Sequence, residues 1–322
     1  RLNLDAMPVI AAEPDAETLF QRGRQRAFVK VQDGCRYRCG FCIVTVARGE
    51  ERSRALPEVI DEINRITAAG IQEVVLTGVH LGGYGADQGS SLTELVKTVL
   101  NHTDVQRLRL GSLEPWAVGD DFFALFDDSR LMPHLHLPLQ SGADSVLRRM
   151  TRRGKVREFM ALAAELRNRH PGFNITSDII VGFPGETEQE WQQTLDCVTQ
   201  VGFGDLHIFG YSKRPGTKAA ALPDQLPNPV IKQRSGQLHA LAKQVRADFW
   251  QSHLGQTLPV LWEGVTQPGG NGESLRFGYT PNYIRVAVNA DKAIDSNQIR
   301  PVVLTESYDT YVLTQLNGSS PP

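Results

Sequence analysis

The sequence predicts an α/β domain built on parallel strands, followed by a small all-β domain. Three observations carry that expectation. Strand and helix patterns alternate from residue 28 to residue 211, and such alternation implies a parallel sheet with right-handed crossovers. After Gly255 the texture changes to short β-rich runs separated by glycine, asparagine and proline. A chain of 322 residues with 41% hydrophobic content holds a substantial core, in one large domain or two.

The elements follow in order. Residues 1–24 carry little periodicity and open with Arg1 rather than Met, which reads as a linker from an absent amino-terminal domain. The apolar run Phe28-Val29-Lys30-Val31 marks the first strand, over 28–32, and Pro57 and Gly70 bound the first helix. Strand 73–78, helix 92–102, strand 105–113, helix 120–127 and strand 134–140 repeat the unit, and helix 157–170 follows. The strand over 175–182 ends in Phe183-Pro184-Gly185, and helix 187–202 leads to the strand over 205–211. Six such units form either a complete sheet or an incomplete barrel, and periodicity does not choose. A long polar helix runs from about 229 to 254. Runs 258–262, 283–288 and 311–313 then read as strands of a small β-barrel over 256–316, with a disordered tail over 317–322.

The chemistry concentrates in Cys35-Arg36-Tyr37-Arg38-Cys39-Gly40-Phe41-Cys42, just after the first strand. Three thiolates on one short loop can hold three corners of a cubane iron-sulfur cluster and leave the fourth iron open to a small molecule. A structural zinc site wants four protein ligands, and the remaining cysteine, Cys197, lies in the helical pattern Trp191, Leu195, Val198, Val201, where it reads as a small buried hydrophobe. Zinc held with a distant histidine remains an alternative. An odd trio without a secretory signal argues against a disulfide.

The cysteine run, with an aromatic residue before its third cysteine, resembles the signature of the radical S-adenosylmethionine (SAM) enzymes. Its continuation Ile43-Val44-Thr45-Val46-Ala47-Arg48-Gly49-Glu50-Glu51-Arg52-Ser53-Arg54 resembles the methylthiotransferases, which insert sulfur and a methyl group into tRNA or a ribosomal protein. The likeness runs from about Arg26 to Leu316. It implies a partial (β/α)6 radical SAM barrel over 25–255, with chemistry at the carboxyl ends of its strands. It also implies a TRAM module over 256–316, on the run Gly278-Tyr279-Thr280-Pro281-Asn282-Tyr283.

The same resemblance assigns residues. Cys35, Cys39 and Cys42 would ligate a 4Fe-4S cluster, whose open iron is chelated in the family by the amino and carboxylate groups of SAM; an electron then yields a 5'-deoxyadenosyl radical that abstracts hydrogen. Phe41 would lie against the adenine, or serve as a core aromatic. Thr77-Gly78-Val79 would meet the amino group of the cofactor, with a plain turn glycine as the other reading. Ser112, Glu114, Gln140, Ser141, Asp178 and Gly182 are further cofactor-binding candidates, because polar groups at strand ends face a barrel mouth. His134 and His136 alternate with Leu135 and Leu137 and read as structural histidines.

The formal net charge of -2 gives no overall pull toward nucleic acid. Cations nevertheless outnumber anions over 22–54, 144–170 and 213–253, which suits a polyanion. The family likeness implies a tRNA anticodon stem-loop as partner, with an electron donor such as flavodoxin or ferredoxin; Lys213 and Arg214, just after the last strand, are placed to grip it, and Tyr279 and Tyr283 are candidates for stacking on it, with buried barrel aromatics as the other reading. The run Leu206-His207-Ile208-Phe209-Gly210-Tyr211-Ser212-Lys213-Arg214-Pro215-Gly216-Thr217 is closest to the branch that acts on threonylcarbamoyl-modified adenosine. Branches for isopentenyl-adenosine and for a ribosomal aspartate share most other motifs, and a non-catalytic metal-bound RNA module is the reading from another class. No apolar run approaches the roughly 18 residues of a membrane helix, and a cytoplasmic protein is the default. With Cys197 alone left over for the family's second cluster, this chain is expected to cleave SAM without methylthiolating RNA.

Overall fold

The computed structural model describes residues 25–269, 272–290 and 294–316; the expected linker over 1–24 and tail over 317–322 lie outside the described residues. Six parallel strands make the first domain: β1 (Arg26–Asp33), β3 (Glu73–Gly78), β4 (Arg107–Leu110), β5 (His134–His136), β6 (Asn174–Val181) and β7 (Asp205–Gly210). A two-residue β2 (Arg52–Ser53) pairs antiparallel with the end of β1. The pairing order is β1-β3-β4 and β5-β6-β7, and the bridges Leu108–Leu131 and Ser112–His136 join the two halves. β1 and β7 stand at opposite ends of this order, so the ring of strands is a partial barrel with a seam, as the family likeness implied.

Helices connect the strands for reasons visible in their sequences. α1 (Val44–Arg48) is a single turn after the cysteine loop. α2 (Leu56–Ala68) starts on Pro57 and buries Val59, Ile63 and Ile66, one face at helical spacing. α3 (Leu92–His102) is capped by Ser91, which accepts from the Glu94 amide. Short turns α4 (Asp120–Phe123) and α5 (Asp144–Arg149) precede α6 (Val156–Arg169). α7 (Glu188–Val201) opens on a reciprocal capping box between Thr187 and Glu190 and stops at Gly202, which takes a φ of 63°. The apolar faces meet in one core that includes Val29, Leu76, Leu108, Leu135, Ile179, Trp191 and Phe203.

α8 (Asn228–Gln251) ties the two domains together. Its Leu238, Ala242 and Val245 belong to the first core, whereas Trp250 enters the second with Val260, Trp262, Ile284, Val286, Val302 and Leu304. That second core fills a closed barrel of β8 (Thr257–Pro268), β9 (Ser274–Tyr279), β10 (Arg285–Asn289), β11 (Ile299–Ser307) and β12 (Val312–Leu316), in the order β10-β12-β11-β8-β9. The expected small barrel is present, with β9 and β11 beyond the expected runs. β11 is hard to read because it carries Pro301, which sits opposite Pro259 of β8 in the register.

The small barrel docks on the amino-terminal ends of the parallel strands. Arg107 donates to the carbonyls of Tyr279 at 2.9 Å and Pro259 at 2.5 Å, and Arg109 to those of Pro281 and Thr280, both at 2.8 Å. Glu73, fully buried, holds Arg26 and lies 2.9 Å from Arg109 Nε. Asn174 donates to the Asn282 carbonyl at 2.8 Å, and Asn297 to the Gly70 carbonyl at 2.7 Å.

Tyr279 and Tyr283, half-buried, sit at the contact between the two domains and line the cavity beside it. The Tyr283 ring stacks on Tyr279 at 4.7 Å and on His134 at 4.8 Å, and the Arg109 guanidinium lies 4.6 Å from its centre. These rings join the domains, because the turn between β9 and β10, with Tyr283 at a φ of 65°, turns them toward the barrel floor.

Candidate cluster and cofactor site

The cysteine loop lies at the other end of the barrel, where β1 stops. Gly34 turns the chain at a φ of 76°, and a Cβ there would stand 1.8 Å from the Glu50 carbonyl oxygen, so only glycine fits. The Cys35 amide donates to the Gly49 carbonyl at 3.1 Å and the Cys42 amide to that of Cys39 at 3.0 Å. The middle of the loop is clamped from outside, since the Gly40 amide reaches the Met150 carbonyl at 2.7 Å and the Ala219 amide reaches the Gly40 carbonyl at 2.8 Å. Phe41 packs against the cluster Ala143, Val146, Leu147, Met150, Phe183 and Ala219, so its ring anchors the loop.

All three thiols are free; Cys35 and Cys39 are half-buried and Cys42 is exposed. Burial pushes the Cys35 thiol up to about 11, and the nearby charges of Glu114, Cys39 and Glu51 add to this. Burial likewise raises Cys39, against the pull of Arg152. Thiols crowded in this way need a cation before they ionise, and three soft sulfur donors on one loop fit an iron-sulfur cubane held by three residues. The Val44 amide, at the start of α1, already donates toward Cys42 Sγ at 3.4 Å. Cys197 is buried in α7, its thiol pushed up to about 11 by burial, as a core position requires.

Around the loop the structure brings together residues that sequence reasoning missed. Gln32 is fully buried; its side chain donates to the carbonyls of Asp33 and Gly34 at 2.9 Å and accepts from the His80 amide at 2.8 Å. It thereby fixes the root of the cysteine loop to the end of β3, where Gly78 is needed because a Cβ would meet Gln32 Oε1 at 2.9 Å. Thr77, Gly78 and Val79 are half-exposed there. His80 bridges two carboxylates, with Nδ1 on Glu51 and Nε2 3.3 Å from Glu114. Burial raises the Glu114 carboxyl even though His80 opposes it. Tyr37, inside the loop, sets its ring edge-on to His80 and Trp116 at 4.8 and 5.5 Å. Glu51, His80 and Glu114 are far apart in the chain, and no local pattern announces their meeting.

The other candidates divide. Ser112 is exposed at the end of β4, and the Gln140 backbone, at a φ of 76°, pairs with Asp178 and Ile180. Ser141 is corrected: it is fully buried with its hydroxyl 3.4 Å from that of Thr194 on α7, so it faces the helix layer and not the mouth. Gly182 packs closely on α8, where a Cβ would meet Ile231 at 2.5 Å. Asp178 lies inside the barrel, where one oxygen is 3.1 Å from His136 Nε2 and 3.1 Å from His207 Nδ1. Burial alone would raise this carboxyl, but the hydrogen bonds from His136 and His207 hold it well below its ordinary range, and the bond to Asp178 raises His207 in turn. His134 is held well below its ordinary value by burial, with Arg109 adding to the effect. These groups line a cavity of about 570 Å³ that also reaches Ser112, Phe28 on β1, Phe209 on β7 and the docked Tyr279 and Tyr283. Lys213 and Arg214 are exposed just past β7, and Gly216 of the same segment passes close to Ile43 beside the cysteine loop.

Comparison with known proteins agrees with this geometry. A family model described as the radical SAM superfamily matches residues 29–198. The threonylcarbamoyladenosine tRNA methylthiotransferase MtaB of Thermotoga maritima is 38% identical over 88% of this chain and 64% of its own length. The tRNA-2-methylthio-N(6)-dimethylallyladenosine synthase of Syntrophotalea carbinolica is 38% identical over 87% of this chain and 64% of its own. The chain thus spans 64% of the length of these curated relatives. Among solved structures, the radical SAM methyltransferase TsrM of Kitasatospora setae matches 63% of this chain and 39% of its own, with a TM-score of 0.52 and 18% identity, a likeness of fold. The chain therefore belongs to the radical SAM superfamily, and the cofactors of that superfamily, a 4Fe-4S cluster and SAM, are those its site accommodates.

Proposed function

We propose that this chain is the radical-generating and RNA-engaging part of a methylthiotransferase acting on threonylcarbamoyl-modified adenosine beside a tRNA anticodon. The observation that carries this reading is the extent of the likeness to curated tRNA methylthiotransferases, which runs through both the partial barrel and the small barrel. Relatives that act on dimethylallyladenosine are equally similar, so isopentenyl-adenosine is the second reading. The run from Leu206 to Thr217 favours the first. An electron donor such as flavodoxin or ferredoxin belongs to the reading as well.

When bound, the cluster and SAM supply a 5'-deoxyadenosyl radical that abstracts hydrogen from the substrate. The chain's own residues prepare for this. Cys35, Cys39 and Cys42 hold one face of the cluster, while Gln32 ties their loop to the end of β3, where the half-exposed Thr77-Gly78-Val79 backbone can meet the cofactor. Glu51 and Glu114, bridged by His80, place two buried carboxyl groups beside that position. The lumen below offers about 570 Å³, enough for a nucleoside. Lys213 and Arg214 lie where the phosphates of a loop could reach them.

Anaerobic reaction of the reconstituted chain with dithionite, SAM and a modified anticodon stem-loop, read by mass spectrometry, tests the reading. We expect 5'-deoxyadenosine but no methylthio product, because Cys197 alone cannot hold a second cluster. At fixed salt, a stem-loop carrying threonylcarbamoyladenosine should bind more tightly than one carrying isopentenyl-adenosine. The reverse order would favour the second reading. No deoxyadenosine from a chain loaded with iron would sink the radical reading.

A further inference from the structure

We propose that His136, Asp178 and His207 form a binding site for a first-row divalent metal ion, such as Zn²⁺, inside the lumen of the partial barrel. The three side chains come from adjacent strands β5, β6 and β7, and their donor atoms all lie within 4.8 Å of one another. His136 Nε2 and His207 Nδ1 each stand 3.1 Å from Asp178 Oδ1. Two donors bound to one tetrahedral ion at about 2.0 Å are about 3.3 Å apart, so both spacings suit a shared ion. The His207 side chain is 60% exposed, which leaves its ring room to turn on its Asp178 contact and close the third side. Two imidazoles and a carboxylate are a donor set for zinc, iron or cobalt rather than for magnesium or calcium.

The surroundings support a ligand position. His136 Nδ1 is fixed by the Thr176 hydroxyl at 2.9 Å, which is how a metal-binding histidine has its ring and tautomer held. That hydroxyl also meets His134 Nε2 at 3.0 Å, and it has one proton for two partners. With Thr176 accepting from His136 and donating to His134, His136 Nε2 is aimed at the Asp178 carboxylate, and a metal ion between them would take the place of the shared proton. His134, itself only 7% exposed and lining the same cavity, keeps its Nδ1 without a hydrogen-bond partner among the described residues, so the pocket has an unused polar atom next to the site. With three protein ligands, the ion would keep positions open toward the cavity for an oxygen or nitrogen of a bound molecule. The site is separate from the cysteine loop and draws on none of its ligands.

The test uses the full chain with Cys35, Cys39 and Cys42 all changed to alanine, which removes the competing thiolates, and reads Zn²⁺ binding by calorimetry after chelator treatment. One zinc per chain is expected. His207→Asn, at an exposed position that does not threaten the fold, should lose that zinc, and Thr176→Val should weaken it about 10- to 100-fold. In the reconstituted parent chain, elemental analysis should find one zinc in addition to the cluster iron, again absent from His207→Asn. A chain that takes up no zinc, or a His207→Asn variant that binds it as the parent does, overturns the proposal. Neither readout depends on activity or on the identity of the RNA.

Discussion

At the carboxyl ends of the six strands, the chain leaves polar atoms open: three free thiols, the half-exposed Thr77-Gly78-Val79 backbone and a carboxylate pair held by His80. At the amino ends, the same strands bury a carboxylate, Glu73, among Arg26, Arg107 and Arg109, and the spare guanidinium donors are used up on carbonyls of the small barrel. One end is completed by groups that are not protein, the other by the protein itself. The difference teaches where each kind of substitution will be felt: at the cysteine end in chemistry, and at the docked end in stability.

The widest separation is expected from Cys35→Ala. Iron content and SAM cleavage should fall to background, while the melting of the unreconstituted chain stays within about 0.5 kcal/mol of the parent, as for a half-exposed side chain with no buried partner. A large loss of stability would erase the contrast between the ends.

Glu73→Gln tests the other end. Removing the charge leaves three guanidiniums buried against one another, and breaking such a network costs on the order of 3–5 kcal/mol, measurable by denaturant titration. The folded fraction should still load its cluster. The same group predicts a pH dependence. Burial alone would raise the Glu73 carboxyl, but Arg109, Arg26 and Arg107 hold it below its ordinary value. Its contribution is therefore fully present above the ordinary carboxylate range, near pH ~4, and is lost as pH falls through the lower value of the folded state. Acid titration of the parent should show a loss of stability that Glu73→Gln lacks.

Asn297→Gly, which keeps the left-handed backbone of this position at a φ of 62° free of strain, should give the smallest effect. It deletes one hydrogen bond from the small barrel to the Gly70 carbonyl, worth about 1 kcal/mol, with no change in iron content. An effect on the cluster from this position would mean that the two ends are coupled through the strands.

Much of the fold was legible because its signals are local. Pro57, Gly70, Thr187 and Gly202 mark helix ends by backbone chemistry that neighbouring residues alone decide. Three cysteines within eight residues are likewise a local signal. β9 and β11 escaped because a glycine and a proline interrupt their runs, and closure of the barrel supplies the partners that the runs themselves do not advertise. Ser141 misled because polarity at a strand end does not say which face the side chain takes; packing against Thr194 decided that. Tyr279 and Tyr283 could be read either way because exposure of an aromatic turn depends on what docks against it.

By itself the sequence determined the alternation of six strand units, the small barrel after Gly255 and the run of three closely spaced cysteines, since each rests on periodicity or on spacing within a few residues. The tertiary structure alone decided that Glu51, His80 and Glu114 meet beside the cysteine loop, that Glu73 gathers three arginines under the small barrel, and that His136, Asp178 and His207 face one another across the lumen. Glu51, His80 and Glu114 sit on loops that follow different elements, while Glu73 with its arginines and the trio His136, Asp178 and His207 lie on neighbouring strands, so only the registers of the parallel strands bring their side chains together.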